Sequence, residues 1–158
     1  EQGAMVGVRG AGRILAQCGV RLERGELVSL AVPPVYMDLA TPVSGELANN
    51  FRVAKPAVNF VRNTRRSPSF EAEAFGRGNT RTRPELTDTV WITHTARDPA
   101  IALAHELAHV LMDSGEHSAE PGNLMRDETS AGNTTLTAAQ CARLRDTAPS
   151  NGLLKKAK

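Results

Sequence analysis

The feature that most constrains the fold is the apolar stretch "RDPAIALAHELAHVLMD", residues 97–113. Asp98 suits the N-cap of a helix and Pro99 its first turn, so a helix is predicted to begin here. Apolar residues at helical spacing cover a broad arc, which predicts packing on most sides of this helix. No lysine or arginine lies between Asp98 and Asp113. A buried carboxylate at Glu106 would therefore destabilise the fold by several kcal/mol unless it is paired with a cation or has a chemical role.

The two histidines of this helix have the spacing of metal ligands. His105 and His109 are four residues apart and so lie on one helical face. Both imidazoles can therefore reach a single zinc ion at about 2.0–2.1 Å. Glu106 is too far around the helix to ligate easily, but it can take the proton of a water molecule on the metal. The pattern is HExxH. The alternative is a pair of satisfied core histidines, since an isolated HExxH also arises by chance.

A catalytic zinc site needs three protein ligands and one open position. The stretch "DSGEH" after the helix predicts a chain reversal, with Gly115 taking a positive φ. His117 then lies on the returning segment, and we predict that it is the third ligand. Asp113 and Glu116 remain rival ligands in the same stretch.

The N-terminal part of the chain predicts one helix and two strands. A helix is expected from about Ala4 to Gln17, ended by Gly19 in a left-handed conformation. The stretch "VRLERGELVSLAV", residues 20–32, predicts two short strands joined by a charged turn at 23–26. The prolines at 33, 34 and 42 predict a loop.

The rest of the chain predicts three more strands and a last helix. One strand is centred on 58–61, another in "SFEAEAF" lies at a sheet edge, and "TVWIT" (89–93) is the strongest. Residues 76–88 predict a loop, and a helix is expected at about 137–146. Strands come before the two later helices, which favours an α+β fold, and 158 residues suit a single domain over 1–158.

Composition argues against membrane and nucleic-acid partners. No apolar run approaches the roughly 18 residues of a membrane helix. The net charge is +2, with arginines clustered at 62, 65 and 66 and at 77, 81 and 83. These clusters are interpreted as solvated loops, with a basic rim as the alternative. No aromatic residues interleave with them, so a nucleic-acid partner is not expected.

Two cysteines, Cys18 and Cys141, lie far apart in the sequence, and neither belongs to a CxxC pair. This excludes a zinc knuckle held by cysteines. At this level the two residues could form one disulfide or remain two buried thiols.

The motif and its surroundings resemble the metzincin clan of zinc endopeptidases. The clan motif is HExxHxxGxxH, followed by a tight turn with a methionine beneath the metal. "HELAHVLMDSGEH" matches its HExxH and supplies a later histidine, while "NLM" (123–125) looks like the methionine turn. Two features depart from the clan: Met112 replaces its glycine, and the third histidine comes two residues late. Asp127 stands where some members carry a tyrosine ligand.

The resemblance implies a fold, a site and a cofactor. It implies a metzincin-like fold, with a twisted, mostly parallel mixed sheet, an active-site helix and a C-terminal helix. It also implies Zn²⁺ as cofactor, with His105, His109 and His117 as ligands and Glu106 as the catalytic base and then acid. Met125 would form an apolar floor rather than bind zinc, and His94 would be structural.

The resemblance also implies an activity and a setting. The activity is zinc-dependent hydrolysis of peptide bonds, on a protein or peptide substrate that lies antiparallel to the edge strand "FEAEAF". Secretion is implied, and with it a disulfide between Cys18 and Cys141. We expect a monomer. The alternatives are a zinc hydrolase of another amide and a catalytically silent zinc-binding module.

Overall fold

The computed structural model describes residues 2–23, 25–37, 41–51, 53–62 and 72–155. In these ranges the α-helices are α1 (Gln2–Leu15), α2 (Thr41–Asn50), α3 (Pro99–Met112) and α4 (Ala138–Ser150). The strands are β1 (Ala57–Val61), β2 (Ala72–Phe75) and β3 (Thr89–Thr93). Short 3₁₀ turns cover Ala16–Cys18, Pro34–Met37 and Pro84–Leu86. The α+β class predicted from the order of elements is confirmed.

The three strands form one sheet in the order β1-β3-β2. β1 runs parallel to β3, with Ala57 opposite Thr89, whereas β2 runs antiparallel to it, with Ala72 opposite Ile92. The predicted mixed sheet and the edge position of β2 are confirmed. The expectation of a mostly parallel sheet is wrong for the described strands, because one pair is parallel and the other antiparallel.

The central strand β3 separates two apolar clusters. All five of its residues are buried. Val90 and Ile92 belong to the larger cluster, which contains the buried face of α3. Trp91 points the other way, into a smaller cluster with Leu47 of α2 and Leu86. This alternation follows from the two-residue period of a strand, and it gives the sheet a layer of helix on each face.

Helix α3 is the centre of the fold, as its apolar sequence predicts. It packs against α1, α4, β2 and β3. Leu103, Ala104 and Ala108 have no exposed surface. Burying a leucine side chain stabilises the fold by about 1.5–3 kcal/mol. Contact with α1 is close, because a Cβ at Gly10 of α1 would collide with the Cβ of Ala100. Glycine is what allows the two helices to approach so nearly.

The first and last helices are held together covalently. Cys18, the last residue of the 3₁₀ turn that follows α1, forms a disulfide with Cys141 of α4. Gly19 follows with a φ of 78°, the left-handed conformation that was predicted to end this helix. Helix α4 also begins where expected, because Thr137 caps it and exchanges hydrogen bonds with Gln140. Within the described ranges, no helix combines the length and apolarity needed to cross a membrane.

The prediction for residues 20–42 is wrong in two respects. No strand forms in the described residues of 20–32, and Leu22, Leu27, Val28 and Leu30 are exposed. The alternating pattern is present in the sequence, but a strand also requires a neighbour to accept its backbone hydrogen bonds. The predicted proline loop is replaced in part by α2, which begins at Thr41. Packing of Leu47 against the smaller cluster explains this helix, and packing cannot be read from local sequence.

Candidate metal centre

The structure brings three histidines together at one point. The Nε2 atoms of His105 and His109 are 2.9 Å apart, and those of His109 and His117 are 3.3 Å apart. The possible ligand atoms of all three lie within 4.8 Å of one another. Nitrogens around a tetrahedral zinc, each about 2.0–2.1 Å from the ion, stand about 3.3 Å apart. The cluster therefore has nearly the spacing that one ion requires.

Backbone carbonyls fix the orientation of two of the rings. His105 Nδ1 lies 2.7 Å from the carbonyl oxygen of Leu124, and His109 Nδ1 lies 2.6 Å from that of Ser114. A carbonyl oxygen can only accept a hydrogen bond, so each Nδ1 carries the hydrogen and donates it. Each Nε2 is then left with a lone pair that points into the cluster. This second interaction is typical of a histidine that ligates a metal.

The buried setting favours the neutral form that a metal requires. Burial lowers the pKa of His105 below its ordinary value. Burial, followed by the neighbouring His105, lowers the pKa of His109 to about 4. Both rings are therefore neutral near pH 7, and their facing lone pairs repel each other at 2.9 Å. A cation between them removes that repulsion, so the donor set fits a metal ion.

The chain reversal that carries His117 begins one residue after α3. Asp113 takes the left-handed conformation, with φ 46° and ψ 53°, and the Ser114 amide donates to the carbonyl of His109 at 3.0 Å. The prediction that Gly115 makes this turn is wrong: positive φ falls on Asp113. Aspartate tolerates this conformation better than most side chains do. The turn also places the Ser114 carbonyl beside His109.

The two rival ligands make contacts with other groups. Asp113 Oδ1 accepts the backbone N–H of Arg77 at 3.1 Å. Glu116 Oε2 lies 2.9 Å from Arg143 Nη1 in an ion pair on the surface. Among the candidates on this turn, the structure brings only His117 to the other two histidines.

The predicted methionine turn lies directly under His105. Met125 is fully buried, and its N–H donates to Asn123 Oδ1 at 2.8 Å. Its carbonyl accepts the N–H of Ser118 at 2.7 Å. The carbonyl that orients His105 belongs to Leu124, the residue between Asn123 and Met125. This turn therefore positions a candidate ligand through its backbone.

A cavity of about 740 Å³ opens in front of the histidines, between α3, β2 and residues 127–129. Glu106 lines it and is half-buried. Burial, and then the negative charge of Glu73 on β2, raise the pKa of Glu106 to about 8. A group that exchanges protons near neutral pH is thus placed in the same cavity as the three histidines.

Neither Asp98 nor His94 belongs to the histidine cluster. Asp98 holds the N-cap position of α3, and its carbonyl accepts the N–H groups of Ile101 and Ala102. Its side chain makes no capping hydrogen bond, contrary to expectation. His94 is exposed, and its Nδ1 lies 3.4 Å from the carbonyl of Val61, away from the cavity.

The arginine clusters are also separate from the histidines. Arg77 contacts Asp88 at 3.3 Å, and the guanidinium of Arg83 lies 5.3 Å from the ring centre of Phe75. Arg65 and Arg66 lie outside the described residues. None of the predicted basic-rim residues that the structure describes lines the cavity.

Sequence reasoning missed the groups that contact the histidines. Asp127 Oδ1 lies 3.6 Å from His117 Nδ1, yet no spacing pattern connects these two residues. The carbonyls of Ser114 and Leu124 carry no sequence signal at all, because every residue has one. Comparison with known proteins gives no match, either to a family model or to a curated protein. What the structure shows is a three-histidine cluster able to hold one metal ion.

Proposed function

We propose that this chain is a zinc-dependent endopeptidase of the metzincin type. The observation that carries the proposal is the convergence of three Nε2 atoms, two of them on rings whose Nδ1 donates to a backbone carbonyl. Such an arrangement orients His105, His109 and His117 as ligands before any ion binds. A satisfied core histidine has no need to point its remaining lone pair at two other histidines.

The donor set favours zinc. Three neutral imidazoles with a fourth position open to a cavity are the ligand set of a catalytic zinc site. Zinc bound there supplies Lewis-acid polarisation of a carbonyl and a lower pKa for water. All three ligands come from α3 and the turn that follows it, so the fold of residues 99–117 builds the site.

Glu106 is the proposed general base. It follows His105 directly, so its side chain leaves α3 about 100° around the helix axis and lines the cavity. There it can take a proton from water during attack on the carbonyl and then deliver it to the leaving amine. A pKa near the working pH suits both steps, and burial beside Glu73 moves the pKa in that direction.

Strand β2 is the proposed platform for the substrate. It pairs with β3 along one edge, and in the described part of the chain no strand pairs with its other edge. Its residues Ala72, Glu73 and Ala74 line the cavity. An extended peptide can add to such an edge through main-chain hydrogen bonds, which hold many sequences in one register. This would bring a peptide bond across the front of the histidines.

The disulfide supports a secreted protein. Disulfides persist in oxidising surroundings and are rare in the cytosol. The bond between Cys18 and Cys141 therefore fits the proposed extracellular peptidase. A monomer remains the expected state.

The test of this function is a pair of measurements on Glu106→Gln. We expect wild-type protein to cleave a casein or peptide-library substrate, to stop after treatment with a chelator, and to recover with zinc. Glu106→Gln should bind zinc at one ion per chain by calorimetry yet lose turnover by at least about 100-fold, the scale of a lost general base.

The alternatives predict different results. Zinc binding without hydrolysis of any peptide by wild-type protein would favour the silent zinc-binding module or a hydrolase of another amide. Failure to bind zinc at all would remove the proposal.

A further inference from the structure

The cavity in front of the histidines is strongly acidic, although the chain as a whole is not. Among its described lining residues six are acidic and one, Arg97, is basic, whereas the chain carries 17 acidic and 19 basic residues. The acidic six are Glu73, Asp98, Glu106, Asp113, Asp127 and Glu128. Acidic residues are therefore concentrated in the cavity that also contains the three-histidine cluster.

The carboxylates are distributed along the whole cleft. β2 forms one wall, and its residue Ala72 stands opposite Ile92, near the end of β3 that leads towards Asp98. At the other end of β2, the N–H of Arg77 donates to Asp113. Glu73 lies between these two ends. A peptide placed along β2 would therefore pass carboxylates on both sides of the histidines.

The wall of the cavity opposite β2 contributes two more carboxylates. Asp127 and Glu128 are exposed and follow the Asn123–Met125 turn. Asp127 lies 3.6 Å from His117 Nδ1.

Two carboxylates outside the cavity have arginine partners. Asp88 contacts Arg77, and Glu116 contacts Arg143, and both pairs lie outside the cavity. Within the cavity, the five acidic residues other than Glu106 exceed the positive charge that Arg97 and one divalent ion could supply together. The cleft therefore carries a negative field that a bound substrate meets.

We infer that the cleft selects peptides with lysine or arginine beside the scissile bond. This rests on the proposed function and specifies its substrate class. Cationic side chains are drawn into a negative cleft, and the attraction acts both on encounter and on the bound complex. Acidic peptides are disfavoured for the same reason. Glu128 is the specificity-determining residue most easily tested, because it lines the cavity and its side chain is exposed.

The test uses three quenched fluorescent peptides of equal length that differ only in flanking residues: Lys, Gln or Glu. We expect kcat/KM to fall in that order, by on the order of tenfold from the Lys to the Glu peptide, because several weak charge contacts add. The difference should shrink between about 0.01 M and about 1 M salt, as screening shortens the reach of the charges. Equal rates, or faster cleavage of the Glu peptide, would overturn the inference while leaving the peptidase function intact.

A matched pair of variants locates the effect. Glu128→Lys should reduce the preference for the Lys peptide roughly threefold, within the scale of an exposed charge pair. Glu120→Lys makes the same change at an exposed carboxylate outside the cavity and should leave the preference unchanged. An equal effect of both variants would show that net charge, rather than the cleft, sets the preference.

Binding separates this inference from the proposed chemistry. Fluorescence anisotropy with Glu106→Gln measures the affinity for the same three peptide sequences, labelled without a quencher, in the absence of turnover. Tighter binding of the Lys peptide would support the acidic cleft even if wild-type protein cleaves none of the three peptides. The lack of cleavage would then count only against the proposed peptidase activity. Equal binding of all three would remove the charge preference whatever the rates.

Discussion

Two regions of this chain contain apolar stretches, but only one of these stretches forms a buried strand. The exposed segment, defined as residues 20–32, alternates apolar and polar residues yet forms no strand in its described residues. The site region, defined as residues 89–125, contains β3, whose five residues are all buried. β3 has β1 on one side and β2 on the other. The comparison shows that apolar periodicity produces a strand only where neighbours accept its backbone hydrogen bonds.

The exposed segment packs against the two apolar clusters at its ends. Val20 packs against the larger cluster and Val32 against the smaller one, and Leu27 and Val28 between them are about half exposed, at 49% and 48%. In the site region even polar atoms are engaged: the Nδ1 atoms of His105 and His109 donate to carbonyls. Burial combined with satisfied hydrogen bonds makes a region rigid enough to hold three ligand atoms in place.

The largest difference is expected between two histidines of the site region, one that belongs to the cluster and one that does not. His117→Ala leaves two imidazoles and should weaken zinc binding by on the order of a thousandfold, because zinc affinity is shared among a few ligands. His94→Ala removes an exposed histidine of the same region and should leave affinity unchanged. Calorimetry or competition with a chromophoric chelator measures both.

The rival ligands provide the opposite outcome. Asp113→Asn and Glu116→Gln should keep most of the zinc affinity, because Asp113 accepts a backbone N–H and Glu116 pairs with Arg143. Loss of zinc with Asp113→Asn and a mild effect of His117→Ala would make Asp113 the ligand.

The next largest effect is expected for the disulfide, which lies close to the start of the exposed segment. Cys18 lies two residues before the start of the exposed segment and joins α4 across 123 residues of sequence. Replacing both cysteines by alanine should lower the free energy of unfolding by about 2–5 kcal/mol, since the bond restricts the unfolded chain. Urea denaturation measures the change. Intact mass should rise by two hydrogens on reduction; an unchanged mass would mean that no bridge forms in solution.

The smallest effects are expected when valine is replaced by alanine once in each of the two regions. Val90→Ala in β3 removes fully buried methyl groups and should cost about 2 kcal/mol of unfolding free energy. Val28→Ala in the exposed segment should change it by less than about 0.5 kcal/mol. Both are measured by urea denaturation. Equal losses would show that the exposed segment is packed in solution after all.

Much of the candidate site was predictable because it is local. HExxH places two imidazoles on one face of a helix, and a chain reversal brings a third from eight residues further on. His117 was predicted correctly as a neighbour of the other two, although the turn was assigned to Gly115 instead of Asp113. Either residue reverses the chain, so the error in the turn did not change which residues meet.

The wrong predictions share a different cause. The strands expected in 20–32 depended on a pairing partner, and the missed helix α2 depends on burial of Leu47 against Leu86 and Trp91. Such contacts join parts of the chain tens of residues apart. Local periodicity carries no information about which distant segment will be adjacent.

The sequence by itself determined an apolar helix with two imidazoles and a carboxylate, the reversal after it, and the class of fold. Only the tertiary structure decided that the carbonyls of Ser114 and Leu124 orient His109 and His105, and that carboxylates from β2, α3 and the turn share one cavity. The physical reason is range. Helical spacing is set by bonds within a few residues, whereas hydrogen-bond partners and the electric field of a cleft come from segments that meet only when the chain folds.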